Sequence, residues 1–331
     1  MPDSVYDASG RRRMTLGCKD EWVSNRSEIP AEYQVHDQRF LALIVPGASL
    51  RRLYTGCLWA EGPVYVAAER SLLWSDVRRN RCLRYDMITG ETALHVQPAN
   101  FNNGHTLDRQ GRVIACEHGT RSVVRFEHDG ATTVLADRFD GKRFNSPNDV
   151  VVASDDSVWF TDPTYGIDSF DEGYPAESEI GGCHVYRIDA ANGTVTAEIT
   201  DMVRPNGLAF SVDERSLYVA DTGVSHVVDG PRHIRRYDVD VDAGTVTGGG
   251  ELFATCPVGA FDGFRLDVDG RLWASGHLGV HCYDPDGTLL GTIRLRETCA
   301  NVEFGGDDKR TLFMTATTSL YALDVAVAGV R

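Results

Sequence analysis

The chain has 331 residues, with 48 acidic against 33 basic side chains, a formal net charge of −15 and 42% hydrophobic residues. An acidic balance with only short basic runs excludes a broad phosphate-binding surface, so no nucleic-acid partner is expected. No run of about 18 apolar residues occurs and the N-terminus lacks an apolar h-region, so neither a membrane span nor a secretory leader is expected.

The eight cysteines, at positions 18, 57, 82, 116, 183, 256, 282 and 299, include no CxxC pair. They predict free, mostly buried thiols in a reducing, cytoplasmic compartment, and they argue against a thiolate zinc site.

Residues 1–45 show no periodic pattern and predict an extension packed outside the main domain. From 46 to 331 one pattern repeats. A segment at 50–55, LRRLYT, precedes the first full repeat. That repeat reads EGPVYV (61–66), LLWSD (72–76), RCLRYD (81–86) and TALHV (92–96). The second reads NGHTLD (103–108), VIACE (113–117), SVVRFE (122–127) and TTVLA (132–136). The third follows with NDVVVA (148–153), VWFTD (158–162), HVYRID (184–189) and VTAEIT (195–200). The fourth comprises NGLAFS (206–211), LYVAD (217–221), HIRRYD (233–238) and ELFAT (251–255). In the fifth are DGFRLD (262–267), LWAS (272–275), GVHCYD (279–284) and TLLGTIRL (288–295). The sixth has NVEFGG (301–306), LFMT (312–315) and SLYALD (319–324), and then the chain ends. Short apolar segments separated by Gly- and Asp-rich turns are strands. Four strands per unit at this period predict an all-β, six-bladed β-propeller. The segment 50–55 fits the empty fourth slot of the last blade and would close the ring.

Two insertions interrupt the register. The longer, DPTYGIDSFDEGYPAESEIGG, lies within the third repeat and is polar and rich in Gly and Asp. Long loops in compact domains tend to serve function, and this one is read as a lid or rim over one mouth of the channel. The shorter lies in the fourth repeat.

The first strand of each repeat opens on an acid or amide: Glu61, Asn103, Asn148, Asn206, Asp262 and Asn301. In a propeller this strand lines the central channel, so the six side chains should converge at one end of it. Two carboxylates facing each other would repel, or one would hold a proton. A divalent cation removes the conflict. An all-oxygen donor set suits Ca2+ best, with Mg2+, Mn2+ or Zn2+ as substitutes. Capping of strand ends by Asn and Asp is the simpler reading of any one of these positions, but not of six in register.

At these residues the chain resembles the gluconolactonase/senescence-marker-protein/luciferin-regenerating-enzyme family. The resemblance rests on AEGPVY (60–65), FNSPNDVVV (144–152), WFTDPTYG (159–166), RPNGLAFSVDE (204–214), LYVADT (217–222), DGFRLDVDGRLWAS (262–275) and ANVEFGGDD (300–308). It covers about residues 50–325 and is nearest the bacterial gluconolactonase branch. It implies a six-bladed propeller with one catalytic Ca2+ held by Glu61, Asn148, Asn206 and Asp262. It implies Asp262 as general base and Asp149 as a further catalytic carboxylate. Mammalian members carry a substrate-contacting Arg where this chain has Ser146, so their substrate contacts do not transfer.

The expected reaction is opening of a sugar lactone such as glucono-1,5-lactone, a small-molecule substrate, by a monomer or homodimer. The metal would polarise the carbonyl and Asp262 would take the proton from water. A metal-bound carboxylate is a weak base, so His105, His118 and Asp149 are alternatives. Asn103, His105, Glu117, His118 and Asn148 are candidate substrate contacts. An organophosphate or aryl-ester hydrolase on the same site is a second reading, and a non-enzymatic calcium-binding propeller a third. No GxSxG elbow and no P-loop motif occurs.

Overall fold

The computed structural model describes residues 26–330. Of the extension expected over residues 1–45, residues 1–25, with Cys18, lie outside the described residues. Six antiparallel sheets succeed one another in chain order around a ring. The first blade comprises Ala60–Val66, Ser71–Asp76, Arg81–Asp86 and Thr92–Val96. The second comprises Asn102–Leu107, Val113–Glu117, Ser122–Phe126 and Thr132–Ala136. The third runs Val150–Val152, Val158–Asp162, Cys183–Ile188 and Val195–Met202, and the fourth Pro205–Phe210, Ser216–Asp221, His233–Asp240 and Thr245–Thr255. The fifth begins with Phe261–Leu266, Leu272–Gly276, Gly279–Tyr283 and Leu289–Arg294, and the sixth with Cys299–Gly305, Thr311–Ala316 and Ser319–Asp324. The structure is thus the six-bladed β-propeller that the repeats predict.

Ser49–Thr55 fills the fourth slot of the sixth blade, pairing with Ser319–Asp324 in a register that sets Ser319 opposite Thr55. The ring is closed by strands far apart in sequence, which removes the exposed edge an open array would carry. Residues ahead of this strand also join the ring. Ser27–Pro30 adds a fifth strand to the sixth blade, and Glu32–Val35 a fifth strand to the fifth.

Apolar residues alternate along the strands so that each blade packs on its neighbours. Trp74, Trp159 and Trp273 of the second strands are at most 1% exposed. Phe40, Trp273, Phe304 and Met314 share one core beneath the closing segment. Of the described cysteines all seven are free; six are buried and Cys183 is partly so. Among the described residues no helix is long and apolar enough to cross a membrane.

Candidate functional site

The inner strands carry a common irregularity at their opening residues. Pairing to the second strand slips between Glu61 and Val64, Asn102 and His105, Pro205 and Leu208, Phe261 and Phe264, and Cys299 and Asn301. Bulges of this kind re-aim side chains at strand ends. Glycine follows the lead residue in four blades because the next inner strand passes too close for a side chain. A Cβ at Gly62 would lie 1.9 Å from the Asn103 carbonyl oxygen, and one at Gly207 would lie 2.2 Å from that of Asp262. The Gly104 N–H donates to the Asn148 carbonyl at 2.8 Å. The Asn-Gly and Asp-Gly steps therefore serve close approach around the channel.

Glu61, Asn103, Asn148, Asn206 and Asn301 are all buried; Asp262 alone is partly exposed. Three amides form a relay. Asn103 Nδ2 donates to Asn148 Oδ1 at 2.7 Å, and Asn148 Nδ2 donates to Asn206 Oδ1 at 2.8 Å. Each amide is thereby fixed in orientation.

The two carboxyls complete the cluster. Burial raises the Glu61 pKa most, followed by repulsion from Asp262; Asp149 and Glu172 add to it, and the Gly62 N–H opposes it. Asp262 is raised by burial and by Asp149 and Glu172, and it lies within hydrogen-bonding reach of Asn206 and Glu61. The charged neighbours acting on these carboxyls are acids. Ionising both places like charges together among acidic neighbours, which is the condition a cation relieves.

Among the described residues no group of three or more His, Cys, Asp or Glu is placed to hold a metal. A cation here would rest on two carboxylates completed by amide oxygens, a hard donor set. Glu61, Asn148, Asn206 and Asp262 fit that demand.

His118 belongs to the cluster. Its Nδ1 faces the Glu172 carbonyl at 3.1 Å, and its Nε2 lies 3.3 Å from both Asn103 Nδ2 and Asn148 Oδ1. With the proton on Nδ1, Nε2 accepts from Asn103 Nδ2. Burial holds the His118 pKa below its usual value and keeps the ring neutral.

Asp149 is buried next to the amide cluster. Its Oδ1 accepts from the Val150 N–H at 2.9 Å and its Oδ2 from Asn301 Nδ2 at 3.4 Å. Burial raises its pKa, and Arg265, itself paired with Glu303 at 2.9 Å, opposes the rise.

Two expected contacts turn elsewhere. His105 Nδ1 donates to the Gly62 carbonyl at 2.7 Å, its Nε2 lies 3.5 Å from Asn102 Nδ2, and burial pushes its pKa down to about 4. This ring bridges the first and second blades. Glu117 receives both hydrogen bonds from Asn100 Nδ2 and one from the Thr120 hydroxyl, and so braces its own loop.

The long insertion is anchored beside the cluster. Arg78 pairs with Glu172 at 3.1 Å and Arg204 with Asp168 at 2.7 Å. Each guanidinium also lies over an aromatic ring, Trp59 at 5.3 Å and Tyr165 at 5.2 Å. Gly166 sits where a Cβ would come within 2.4 Å of His118 Cβ and 2.8 Å of Ser146 Cβ. Ser146 is spent on this contact: its hydroxyl donates to the Pro163 carbonyl at 2.6 Å and accepts from the Gly166 N–H at 2.9 Å. Tyr165 and Arg204 were not among the expected site residues, although both lie in segments that carry the family resemblance, WFTDPTYG (159–166) and RPNGLAFSVDE (204–214).

A family model described as SMP-30/Gluconolactonase/LRE-like region matches residues 59–318. The gluconolactonase of Zymomonas mobilis is 31% identical over 293 residues, covering 82% of this chain and 80% of the relative. The pentonolactonase of Haloferax volcanii is 31% identical over 303 residues, covering 83% and 94%. A solved structure of a gluconolactonase from Xanthomonas campestris shares 35% identity at a TM-score of 0.81, covering 90% of this chain and 97% of its own. The calcium-binding protein regucalcin of Agrobacterium tumefaciens, at 21% identity and a TM-score of 0.69 over 84% of this chain and 94% of its own, shares the fold.

Proposed function

This chain belongs to the SMP-30/gluconolactonase/LRE-like family, and from that premise we propose that it opens sugar lactones, with glucono-1,5-lactone as the representative substrate. The reading is supported by two relatives, a gluconolactonase and a pentonolactonase, each 31% identical over most of both chains. The observation that carries it is the meeting of Glu61 and Asp262 with oriented amides at one end of the channel.

Glu61, Asn148, Asn206 and Asp262 would hold a divalent cation, with Ca2+ favoured by the hard oxygen set. When bound, that ion supplies Lewis-acid polarisation of the lactone carbonyl and a more acidic water. Asp262, the lead side chain open to the channel, accepts the proton as water oxygen bonds to the carbonyl carbon. The carbonyl-to-ring-oxygen bond then breaks, and the ring oxygen takes a proton from Asp262 to leave as a hydroxyl. The product is the open hydroxy acid, which sheds its proton to solvent.

Asn103 has both amide hydrogens committed to His118 and Asn148, so its Oδ1 serves as an acceptor for a substrate hydroxyl. His118 holds that amide in place and adds no charge. Asp149, with both oxygens already bonded, maintains the negative potential behind the site.

Proton release from glucono-1,5-lactone, measured on chelator-stripped protein with and without Ca2+ beside Asp262→Ala, tests the reading. Activity that requires the cation and is lost in the variant is expected. Ca2+ binding without hydrolysis of any sugar lactone would reject the assignment of substrate.

A further inference from the structure

The insertion within the third blade reaches the cluster through its backbone. Glu172 offers its main-chain carbonyl to His118 Nδ1 at 3.1 Å, on a residue that is 1% exposed. Contacts on both sides hold that carbonyl. The Glu172 side chain pairs with Arg78 at 3.1 Å, and the Tyr174 N–H donates to the Gly166 carbonyl at 2.9 Å. Between them Gly173 packs so tightly that a Cβ would lie 2.1 Å from the Gly166 carbonyl oxygen. Gly166 in turn rests against His118, so one turn of the insertion fixes both the ring and the carbonyl it meets.

A carbonyl only accepts, so this contact is a hydrogen bond only when Nδ1 carries the proton of the neutral ring. Nε2 faces two groups at 3.3 Å, the amide nitrogen of Asn103 and the amide oxygen of Asn148. It can accept from the first or donate to the second, and the proton on Nδ1 makes it accept. The opposite tautomer would leave the Glu172 carbonyl unmet and set an N–H against the Asn103 donor. It would also place a second hydrogen bond on Asn148 Oδ1, which already accepts from Asn103 at 2.7 Å. An amide oxygen has two lone pairs, so neither would remain for an ion. With the proton on Nδ1 every donor in the relay runs one way. Asn103 donates to Asn148, Asn148 to Asn206, and Asn206 lies within hydrogen-bonding reach of the Asp262 carboxyl.

We infer that the Glu172 carbonyl is a positioning group, which selects the His118 tautomer that keeps one lone pair of Asn148 Oδ1 free for a divalent cation. Partners behind the ligands of a metal site fix ligand orientation in this way. The inference rests on the cation reading of the cluster. It extends that reading by giving the insertion a part in cation affinity through its backbone, apart from the charge of its side chains.

Nitrogen NMR of the imidazoles in chelator-treated protein reads the tautomer with no cation present, His118→Gln serving to assign the His118 signals. The native chain should show Nδ1 protonated and Nε2 unprotonated. Two variants then separate backbone from charge. Glu172→Gln removes the carboxylate and keeps the carbonyl, so the proton should stay on Nδ1. Gly173→Ala forces the adjacent carbonyl off His118, so the proton should move towards Nε2. Calorimetric Ca2+ affinity of Gly173→Ala should then fall about 10-fold, as for loss of a partner behind a metal ligand. A proton on Nε2 in the native chain would overturn the inference. So would Gly173→Ala with the native tautomer, or with Ca2+ affinity within twofold of native. If Gly173→Ala does not fold, the native spectrum still decides. A native chain that binds no Ca2+ would reject the cation reading itself, which the tautomer spectrum tests separately.

Discussion

Replacing Glu61 by Gln should have opposite effects on the cation-free and cation-loaded protein. Glu61 is 4% exposed and its charged neighbours are Asp262, Asp149 and Glu172. Without a cation, its ionisation is opposed by burial and by those acids. An amide of the same shape removes both penalties, a relief of about 1–4 kcal/mol by analogy with buried ion pairs replaced by neutral residues. For a domain of this size that is a rise of about 2–6 °C in Tm. The sign with pH follows from the raised folded pKa. The penalty is absent below the unfolded carboxyl range, about pH 4, and grows as pH rises through the folded value. The gain should therefore be small at pH 5 and largest at pH 8 to 9. With Ca2+ present the order reverses, because removing one charged partner from a buried cluster costs about 3–5 kcal/mol, or at least a hundredfold in affinity at about 1.4 kcal/mol per tenfold. Calorimetric melting in chelator and in Ca2+ across that pH range, with Ca2+ titration at pH 8, reads all three effects. A variant that melts below the native chain in chelator at pH 8, or that binds Ca2+ within threefold of native, would refute the placement of a cation between these carboxyls.

Gly207→Ala places a methyl 2.2 Å from the Asp262 carbonyl oxygen, so denaturant unfolding should show a loss of about 1–3 kcal/mol, with weaker Ca2+ binding as Asp262 is displaced. His105→Gln should lower stability by about 1–3 kcal/mol through the lost bond to the Gly62 carbonyl and leave kcat/KM within a few-fold. His118→Gln should instead lower kcat/KM by more than about tenfold with a smaller change in Tm, since His118 orients Asn103. Ca2+ affinity of the native chain, followed calorimetrically from pH 6 to 8.5, should rise with pH because Glu61 and Asp262 must lose protons that burial and mutual repulsion help them keep.

The repeat pattern was legible because propeller blades alternate apolar and polar residues with period two and turn on Gly and Asp. Even the closing strand at 50–55 could be placed by counting, since the sixth repeat lacked its fourth member. The lead residues were legible for the same reason: a fixed register on equivalent strands implies a shared position in space. Orientation was not. His105 follows Asn103 by two residues, which in a regular strand puts both on one face. The slip in pairing between Asn102 and His105 breaks that alternation, and His105 turns to the Gly62 backbone instead. Glu117 turns to its own loop in a related way, because the donors that meet it, Asn100 Nδ2 and the Thr120 hydroxyl, are placed by a turn that periodicity does not describe.

The insertion shows where pattern reading runs out and why the fold tolerates it. Three of the four proposed cation ligands, Glu61, Asn206 and Asp262, sit on inner-strand ends held by bulges and by glycines that admit no side chain, and Asn148 is tied to them through Asn206, so their spacing is set by the ring. The residues around the opening are attached differently: Glu172 through Arg78, and Asp168 and Tyr165 through Arg204. These are pairwise side-chain contacts on segments outside the strand repeat, and nothing in strand periodicity constrains them. A change there alters which groups meet the substrate without moving Glu61, Asn148, Asn206 or Asp262. Ser146 illustrates the attachment, since its hydroxyl anchors the turn at Gly166 rather than facing the site. Arg204→Met should separate the two layers: it removes the cation–π contact and the Asp168 pair, so gluconate affinity should fall while Ca2+ affinity holds. A parallel loss of both would mean that the insertion and the cation site are one rigid unit.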